Sequence, residues 1–152
     1  MRKIVEIHNH FQPAKDASNL LYTPADHGMT YRETRRYSFQ YSGSDSALLD
    51  FVQSVLVDPV SEDLHDGPSP CFKDYIFHLD LMLKPSLLDL EKEYIRNYVR
   101  DQAYTDWTLD ELSVAHRYYF FGKGDITPQR IARDMVNPVI HTWNIVYGTG
   151  TA

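Results

Sequence analysis

Two short segments recur in the same order in the two halves of the chain, and they constrain the fold more than any other feature. Arg36-Tyr37 in the first half matches Arg117-Tyr118 in the second, and Asp58-Pro59-Val60 matches Asn137-Pro138-Val139. Small gaps bring both pairs into register. The apolar positions before the prolines then coincide as well, with Val52, Leu56 and Val57 opposite Ile131, Met135 and Val136. The pattern predicts an internal duplication, and chance similarity of short segments is the alternative.

The order of predicted elements is similar in the two halves. Residues 4–7 form a strand, and Pro13 follows them. Residues 14–22 are a weak helix candidate, and Asp26-His27-Gly28 marks a turn. Tyr37, Phe39 and Tyr41 alternate with polar residues, which predicts a half-buried strand with its rings in the core. A helix capped within Ser42–Asp45 follows, with its apolar face formed by Leu48, Phe51, Val52 and Val55, and then a short strand over 60–64.

The second half repeats this order after a segment rich in turn-forming residues, His65–Pro70. We predict strands over 75–81, 117–121 and 139–146, a helix over 87–100, and a second helix that starts at Thr127-Pro128. The unit boundary lies in the turn-rich segment, which gives one unit over 1–68 and a second over 69–152. The tail from Tyr147 to Ala152 reads as a linker cut short.

Strands and helices in this order predict an α+β fold in which each unit is a small antiparallel sheet covered by helices on one face. A single unit leaves apolar surface uncovered. Two units are expected to bury these faces against each other, so the fused pair would form an internal pseudo-dimer.

Composition excludes several classes of function. The net charge is −6, which argues against nucleic acid as a partner. No apolar run is long enough to span a membrane, and the first ten residues lack the apolar core of a signal peptide. The single cysteine, Cys71, cannot form an internal disulfide. A reducing, cytoplasmic location is the expectation.

Several segments resemble the PurS-type domain of phosphoribosylformylglycinamidine synthase, an enzyme of purine biosynthesis. Leu83-Lys84-Pro85-Ser86-Leu87-Leu88-Asp89 is similar to the Lys-Pro-Gly-Val-Leu-Asp that opens the first helix of these domains, with Ser86 in place of the usual glycine. Residues 117–121 and Met135–Ile140 are similar to the strand and the Asn-Pro-Val-Ile ending of the family. Residues 55–62 resemble the ending of the first repeat in tandem PurS-like regions, which form the N-terminal part of some PurL-type chains.

The resemblance implies a non-catalytic assembly module. In that family, ammonia derived from glutamine passes from a PurQ-type glutaminase to an ATP-dependent PurL-type synthetase, and the PurS-like units bridge these partners. The ATP, magnesium and glutamine sites lie on the partners, so no cofactor is expected on this chain. The chain itself has no phosphate-binding glycine loop, and Cys71 has no histidine close by in sequence to act as a base.

Other candidate residues lead to weaker hypotheses. His8 and His10 have a spacing suited to binding a metal ion, which would suggest a metal-dependent hydrolase. Those enzymes take further metal ligands from a barrel of about 200 residues or more, which this chain is too short to form. A small-ligand-binding module is a further alternative. The arginines at 32, 35 and 36 read as a solvated strand edge, and Asp106, Asp110 and Glu111 near Trp107 as a solvated helix or loop. We therefore predict no catalytic, cofactor-binding or metal-binding residue, and we expect protein without stoichiometric metal.

Overall fold

A computed structural model describes residues 1–23, 28–124 and 126–148. The predicted turn at Asp26-His27-Gly28 and the tail beyond Gly148 therefore lie wholly or partly outside the described residues. In chain order the elements are β1 (Arg2–Asn9), β2 (Lys15–Asp16), a 3-10 turn (Ala17–Leu20), β3 (Thr30–Gly43), α1 (Asp45–Phe51), a π turn (Val52–Leu56), β4 (Glu62–Asp66), β5 (Phe77–Leu83), α2 (Leu90–Gln102), β6 (Trp107–Phe121), α3 (Pro128–Met135) and β7 (His141–Tyr147).

The strands form one antiparallel sheet in the order β4-β1-β3-β6-β5-β7, with β2 added to β3. The α+β class is confirmed. The expected packing of two units face to face is wrong, because β3 and β6 pair along their length, from Thr30 opposite Phe121 to Gly43 opposite Trp107. The halves are thus joined edge to edge, and their strands follow the same order outward from this central pair.

The described helices cover one face of the sheet. Side chains alternate between faces along a strand, and Tyr31, Tyr37, Phe39 and Tyr41 are all buried on the helix side of β3. Their buried neighbours on β6 lie at even-numbered positions, such as Leu112. The predicted burial of the three alternating rings on β3 is confirmed.

Two hydrophobic cores lie under the helices, and each contains residues from both halves. In the first core, Leu48 and Phe51 of α1 pack with Ile95 and Val99 of α2. In the second core, α3 packs with the 3-10 turn of the first half. Each half therefore contributes residues to the core of the other.

The two proline turns have matching hydrogen bonds. In the first half, the amide of Val60 donates to the Asp58 carboxylate at 2.8 Å, and the amide of Glu62 donates to the Asp58 carbonyl at 3.0 Å. The Asp58 amide donates in return to the Glu62 carboxylate at 2.9 Å.

In the second half, the amide of Val139 donates to the Asn137 side-chain oxygen at 3.0 Å, and the amide of His141 donates to the Asn137 carbonyl at 2.8 Å. The Asn137 amide donates to Nδ1 of His141 at 3.1 Å. Pro59 and Pro138 therefore occupy equivalent turn positions, as the duplication predicts.

Two helices begin at capping residues that the sequence predicts. Ser44 accepts a hydrogen bond from the Ala47 amide at 3.2 Å and begins α1, and Thr127 accepts one from the Arg130 amide at 3.2 Å and begins α3. The weak helix predicted over 14–22 is wrong. The amide of Ala17 donates a hydrogen bond to the Met29 carbonyl beside β2, so only a single 3-10 turn follows.

Several boundaries also differ from the prediction. α2 begins at Leu90 because Asp89 caps it, accepting from the Lys92 amide at 3.2 Å. Leu87 and Leu88, predicted on its apolar face, precede the helix and are exposed. β6 starts ten residues before the predicted strand at Arg117.

Candidate functional site

The segment between β4 and β5 crosses the sheet face opposite the helices. Phe72 packs edge-on against Tyr119 and Phe121, and the Arg32 guanidinium lies 4.0 Å from the centre of the Phe72 ring. Beside it, the Cys71 amide donates to the Tyr119 hydroxyl at 3.3 Å. The crossing segment thereby covers the centre of this face.

Polar side chains are buried beneath this segment, and we call them the interhalf cluster: Glu6, Thr34, Cys71, His78, Asp80, Arg117 and Tyr119. Its members come from β1, β3, the crossing segment, β5 and β6. Apart from the half-buried Cys71, they are all buried. The cluster therefore connects the first half, the crossing segment and the second half.

Glu6 is the acceptor at the centre of the interhalf cluster. Its carboxylate accepts hydrogen bonds from the Tyr119 hydroxyl at 2.6 Å, the Thr34 hydroxyl at 2.8 Å, the Cys71 thiol at 2.9 Å and Nη1 of Arg117 at 3.2 Å. Hydrogen bonds from these donors, one of which is a guanidinium, offset the cost of burying the carboxylate. Glu6 is only 1% exposed.

Arg117 joins Glu6 to a second carboxylate. It donates to both oxygens of Asp80, from Nε at 2.7 Å and from Nη2 at 3.0 Å, in the two-pronged geometry that favours arginine over lysine. Nδ1 of His78 lies 2.9 Å from Asp80. One guanidinium thus bridges Glu6 of the first half and Asp80 of the second.

The surroundings of Cys71, Tyr119 and Asp80 shift the pKa values of these three groups. Burial raises the pKa of the Cys71 thiol well above its usual value, and the adjacent Glu6 carboxylate raises it further. Burial and the Glu6 carboxylate likewise raise the pKa of Tyr119. The pKa of Asp80 is lowered, because the hydrogen bonds from His78 and Arg117 outweigh the opposing effect of burial. A thiol held protonated is a poor nucleophile, so Cys71 acts here as a hydrogen-bond donor.

A second polar group lies between the two cores on the helix face, centred on Arg35 of β3. Its guanidinium pairs with Glu62 of β4 and donates to the Tyr37 hydroxyl at 3.0 Å. That hydroxyl donates to Glu91 of α2 at 2.5 Å, and Nε2 of His116 lies 3.4 Å from the same carboxylate. These contacts attach the start of α2 to the centre of the sheet.

The predicted arginine edge is not an edge, because β3 is a central strand. Arg32 and Arg36 lie on the face of the crossing segment, whereas Arg35 lies on the helix face, since their positions alternate along the strand. The three arginines therefore do not form one anion site. Burial, followed by the charge of Arg117, lowers the pKa of Arg36.

His8 and His10 approach one carboxylate, Asp63 on the neighbouring strand β4. The contacts are 3.5 Å from Nε2 of His8 and 3.2 Å from Nδ1 of His10. Within residues 1–23, 28–124 and 126–148, no three histidine, cysteine, aspartate or glutamate side chains form a group that could hold a metal ion. Burial lowers the pKa of His8.

Of the acidic residues near Trp107, Asp106 lies in the loop before β6 as predicted, whereas Asp110 and Glu111 lie on the strand itself. Trp107 begins β6 and is buried in the first core, while Asp110 accepts a hydrogen bond from the Ser42 hydroxyl at 3.1 Å. Glu111 is opposite Gln40, and Asp110 is the extra residue of a β-bulge at that point. The predicted solvated character holds for Asp110 and Glu111, which are exposed.

Two open hollows flank α2. One, of about 640 Å³, lies between the last residues of β5, the first two turns of α2 and strand β6. Another, of about 490 Å³, lies beside Trp107. The larger one is lined by apolar residues such as Leu83 together with Lys84, Lys92, Asp89 and other charged groups. Charges of both signs around it select no single class of ligand.

No helix among the described residues is both long and apolar enough to cross a bilayer. The chain matches no protein-family model, no curated protein and no solved structure.

Proposed function

We propose that the chain is a PurS-type assembly module of phosphoribosylformylglycinamidine synthase, which bridges a PurL-type synthetase and a PurQ-type glutaminase in purine biosynthesis. In this role it contributes no catalytic group and binds no cofactor. The proposal starts from the resemblance of residues 83–89, 117–121 and 135–140 to that family.

The observation that carries the proposal is the internal symmetry of the sheet. Reading outward from the β3–β6 pair, each half supplies a long central strand, then its first strand, then its last strand. A tandem pair of related units predicts this order. The matching hydrogen bonds around Asp58 and Asn137 support the same relationship at the level of single atoms.

The chemistry of the interhalf cluster also favours an assembly role. A catalytic centre needs groups that a substrate can reach, whereas Glu6, Asp80 and Arg117 are buried and bonded to one another. A network of this kind fixes the relative position of the elements that contribute to it. Such rigidity suits a module that holds two other proteins in a defined arrangement.

The test compares two nitrogen sources. The synthetase and glutaminase from the same source are assayed with ATP and formylglycinamide ribonucleotide, with and without this chain. If the chain bridges the two, its omission should abolish most glutamine-dependent amidation and leave ammonia-dependent amidation by the synthetase largely intact.

Three controls make the assay decisive. The chain alone should show no turnover with glutamine and ATP, and an unrelated protein of similar size should not restore coupling. Full glutamine-dependent turnover without the chain, or turnover by the chain alone, contradicts the proposal.

A further inference from the structure

The two edges of the sheet differ in their chemistry. β4 forms one edge and carries three carboxylates in five residues, Glu62, Asp63 and Asp66. β7 forms the other edge with the sequence His-Thr-Trp-Asn-Ile-Val-Tyr and has no acidic residue, lysine or arginine. Charges on an edge strand oppose pairing with another chain, so β4 is protected and β7 is not.

The open backbone groups of β7 can be assigned from its pairing with β5. The amide of Lys84 donates to the Ile140 carbonyl, and the amide of Gly148 donates to the Ile76 carbonyl. Even-numbered positions around β7 therefore direct their backbone groups toward β5. Odd-numbered positions, among them Trp143 and Ile145, direct theirs toward the open edge.

This arrangement is self-complementary. If two β7 strands pair antiparallel about Asn144, the outward groups of Trp143 meet those of Ile145 in the second copy, and those of His141 meet those of Tyr147. Aromatic and β-branched residues are favourable cross-strand neighbours. No like charges meet, since β7 carries none, whereas two β4 strands would bring carboxylates together.

The side chains of β7 also leave apolar surface uncovered. Trp143 is 45% exposed and Tyr147 is 63% exposed. These residues lie on the helix face beside the second core, next to the odd-numbered residues of β5. An added strand at this edge would extend the sheet and cover part of that surface.

The chain already uses the same kind of contact internally. Its two halves are joined by the antiparallel pair β3–β6, so the sheet continues across their boundary. We propose that β7 is a second joining edge, through which two copies of the chain associate by antiparallel β7–β7 pairing about Asn144 in one continuous sheet. The proposal is independent of the role in purine biosynthesis.

The test uses sedimentation equilibrium on the full chain across micromolar concentrations. We expect the mass to approach twice the 17.7 kDa of one chain. Asn144→Lys and Asn144→Asp each place like charges next to each other on the two-fold axis. Each should raise the dimer dissociation constant at least about tenfold, which equals roughly 1.4 kcal/mol.

Mixing the two variants supplies the decisive control. Lysine and aspartate then face each other across the axis, so a heterodimer should form with an affinity near that of the wild-type dimer. Ser113→Lys adds the same charge at an exposed position on β6 and should leave the dimer intact.

Unchanged circular dichroism in both Asn144 variants shows that each monomer folds. Wild-type protein that stays monomeric overturns the proposal, as do Asn144 variants that remain dimeric. If both variants are monomeric and their mixture is too, the axis at Asn144 is wrong. If one variant fails to fold, the dissociation constant of the other decides the matter.

Discussion

Arg117 of the second half donates a hydrogen bond to Glu6 of the first half at 3.2 Å, and both side chains are almost completely buried. The same guanidinium binds Asp80 through two further hydrogen bonds. Removal of Arg117 would leave two buried carboxylates without their cation, which is far costlier than losing an exposed ion pair.

We expect Arg117→Met to lower the free energy of unfolding by about 3–5 kcal/mol, because it breaks a buried charge network. Denaturant unfolding followed by tryptophan fluorescence measures the change. Arg100→Met is the control, since Arg100 is exposed and forms an ion pair with the equally exposed Asp101. Its effect should stay within about 0.5 kcal/mol. Equal effects of the two substitutions would contradict the role assigned to the cluster.

The pair His116 and Glu91 should give stability a dependence on pH. The hydrogen bond to Glu91 raises the pKa of His116 above 6.5, and the same contact lowers the pKa of Glu91 below 4.5. The contribution of His116 to the free energy of unfolding is fully present below about pH 6.5, and it is lost as pH rises through the pKa of His116 in the folded protein. The glutamate contribution is present above about pH 4.5 and is lost as pH falls through its folded value.

His116→Gln should therefore destabilise the protein more at pH 5.5 than at pH 8.5. Because His116 is half exposed, solvent screens the pair, and the difference should be at most about 1 kcal/mol. Unfolding of the single variants and of the double variant with Glu91→Gln isolates the pair. A coupling energy that is the same at both pH values would refute this account.

The Cys71 thiol should react slowly in the folded protein. Its pKa is raised by burial and by the Glu6 carboxylate, and each pKa unit lowers the thiolate fraction about tenfold. Alkylation by iodoacetamide at pH 8 should be at least about tenfold slower in folded than in urea-unfolded protein. Glu6→Gln should accelerate the folded reaction, since it removes the neighbouring negative charge. The same rate in folded and unfolded protein would mean that the thiol is not held as described.

The two proline turns offer a test of equivalence. Asp58→Ala and Asn137→Ala each remove a side-chain acceptor for an amide two residues on, and each should cost about 0.5–1.5 kcal/mol. Asp58→Asn and Asn137→Asp keep the acceptor and should be nearly neutral. Unfolding measurements on the four variants test this, and a large cost for only one of the alanine variants would argue against equivalent turns.

Much of the fold could be predicted from local patterns. The alternation of Tyr37, Phe39 and Tyr41 identified a buried strand face, and the Thr127-Pro128 cap identified the start of α3. The extent of β3 was missed because its first half is polar, from Arg32 to Arg36. These side chains are matched by residues distant in sequence, such as Glu62 and Phe72, which local pattern does not reveal.

The early part of β6 was missed for a different reason. Trp107 and Leu109 alternate with polar residues, as do Leu112 and Val114, but the bulge at Asp110 shifts the alternation by one residue. Without the bulge, the period of two would have continued from Trp107 to Val114 and identified the long strand.

The interhalf cluster did have a signal in the sequence. Glu6 and Asp80 are single charges within apolar strands, Ile4–Ile7 and Leu79–Leu81. A lone charge in such a run needs a buried partner, since an unpaired one would be too costly. The identity of that partner, Arg117, depends on the order of strands and could not be read from either run.

The central claim is that the two halves are units of one fold that complete each other's cores. The most direct measurement is the unfolding of residues 1–68 and 69–152, prepared as separate chains and then mixed. Ile95 and Val99 of the second half are part of the first core. Ala17 and Met29 of the first half are part of the second core. We predict that neither piece alone shows a cooperative thermal transition, and that the mixture recovers one with the near-ultraviolet circular dichroism of the intact chain. A piece that folds cooperatively alone, or a mixture that shows no transition, would contradict the claim.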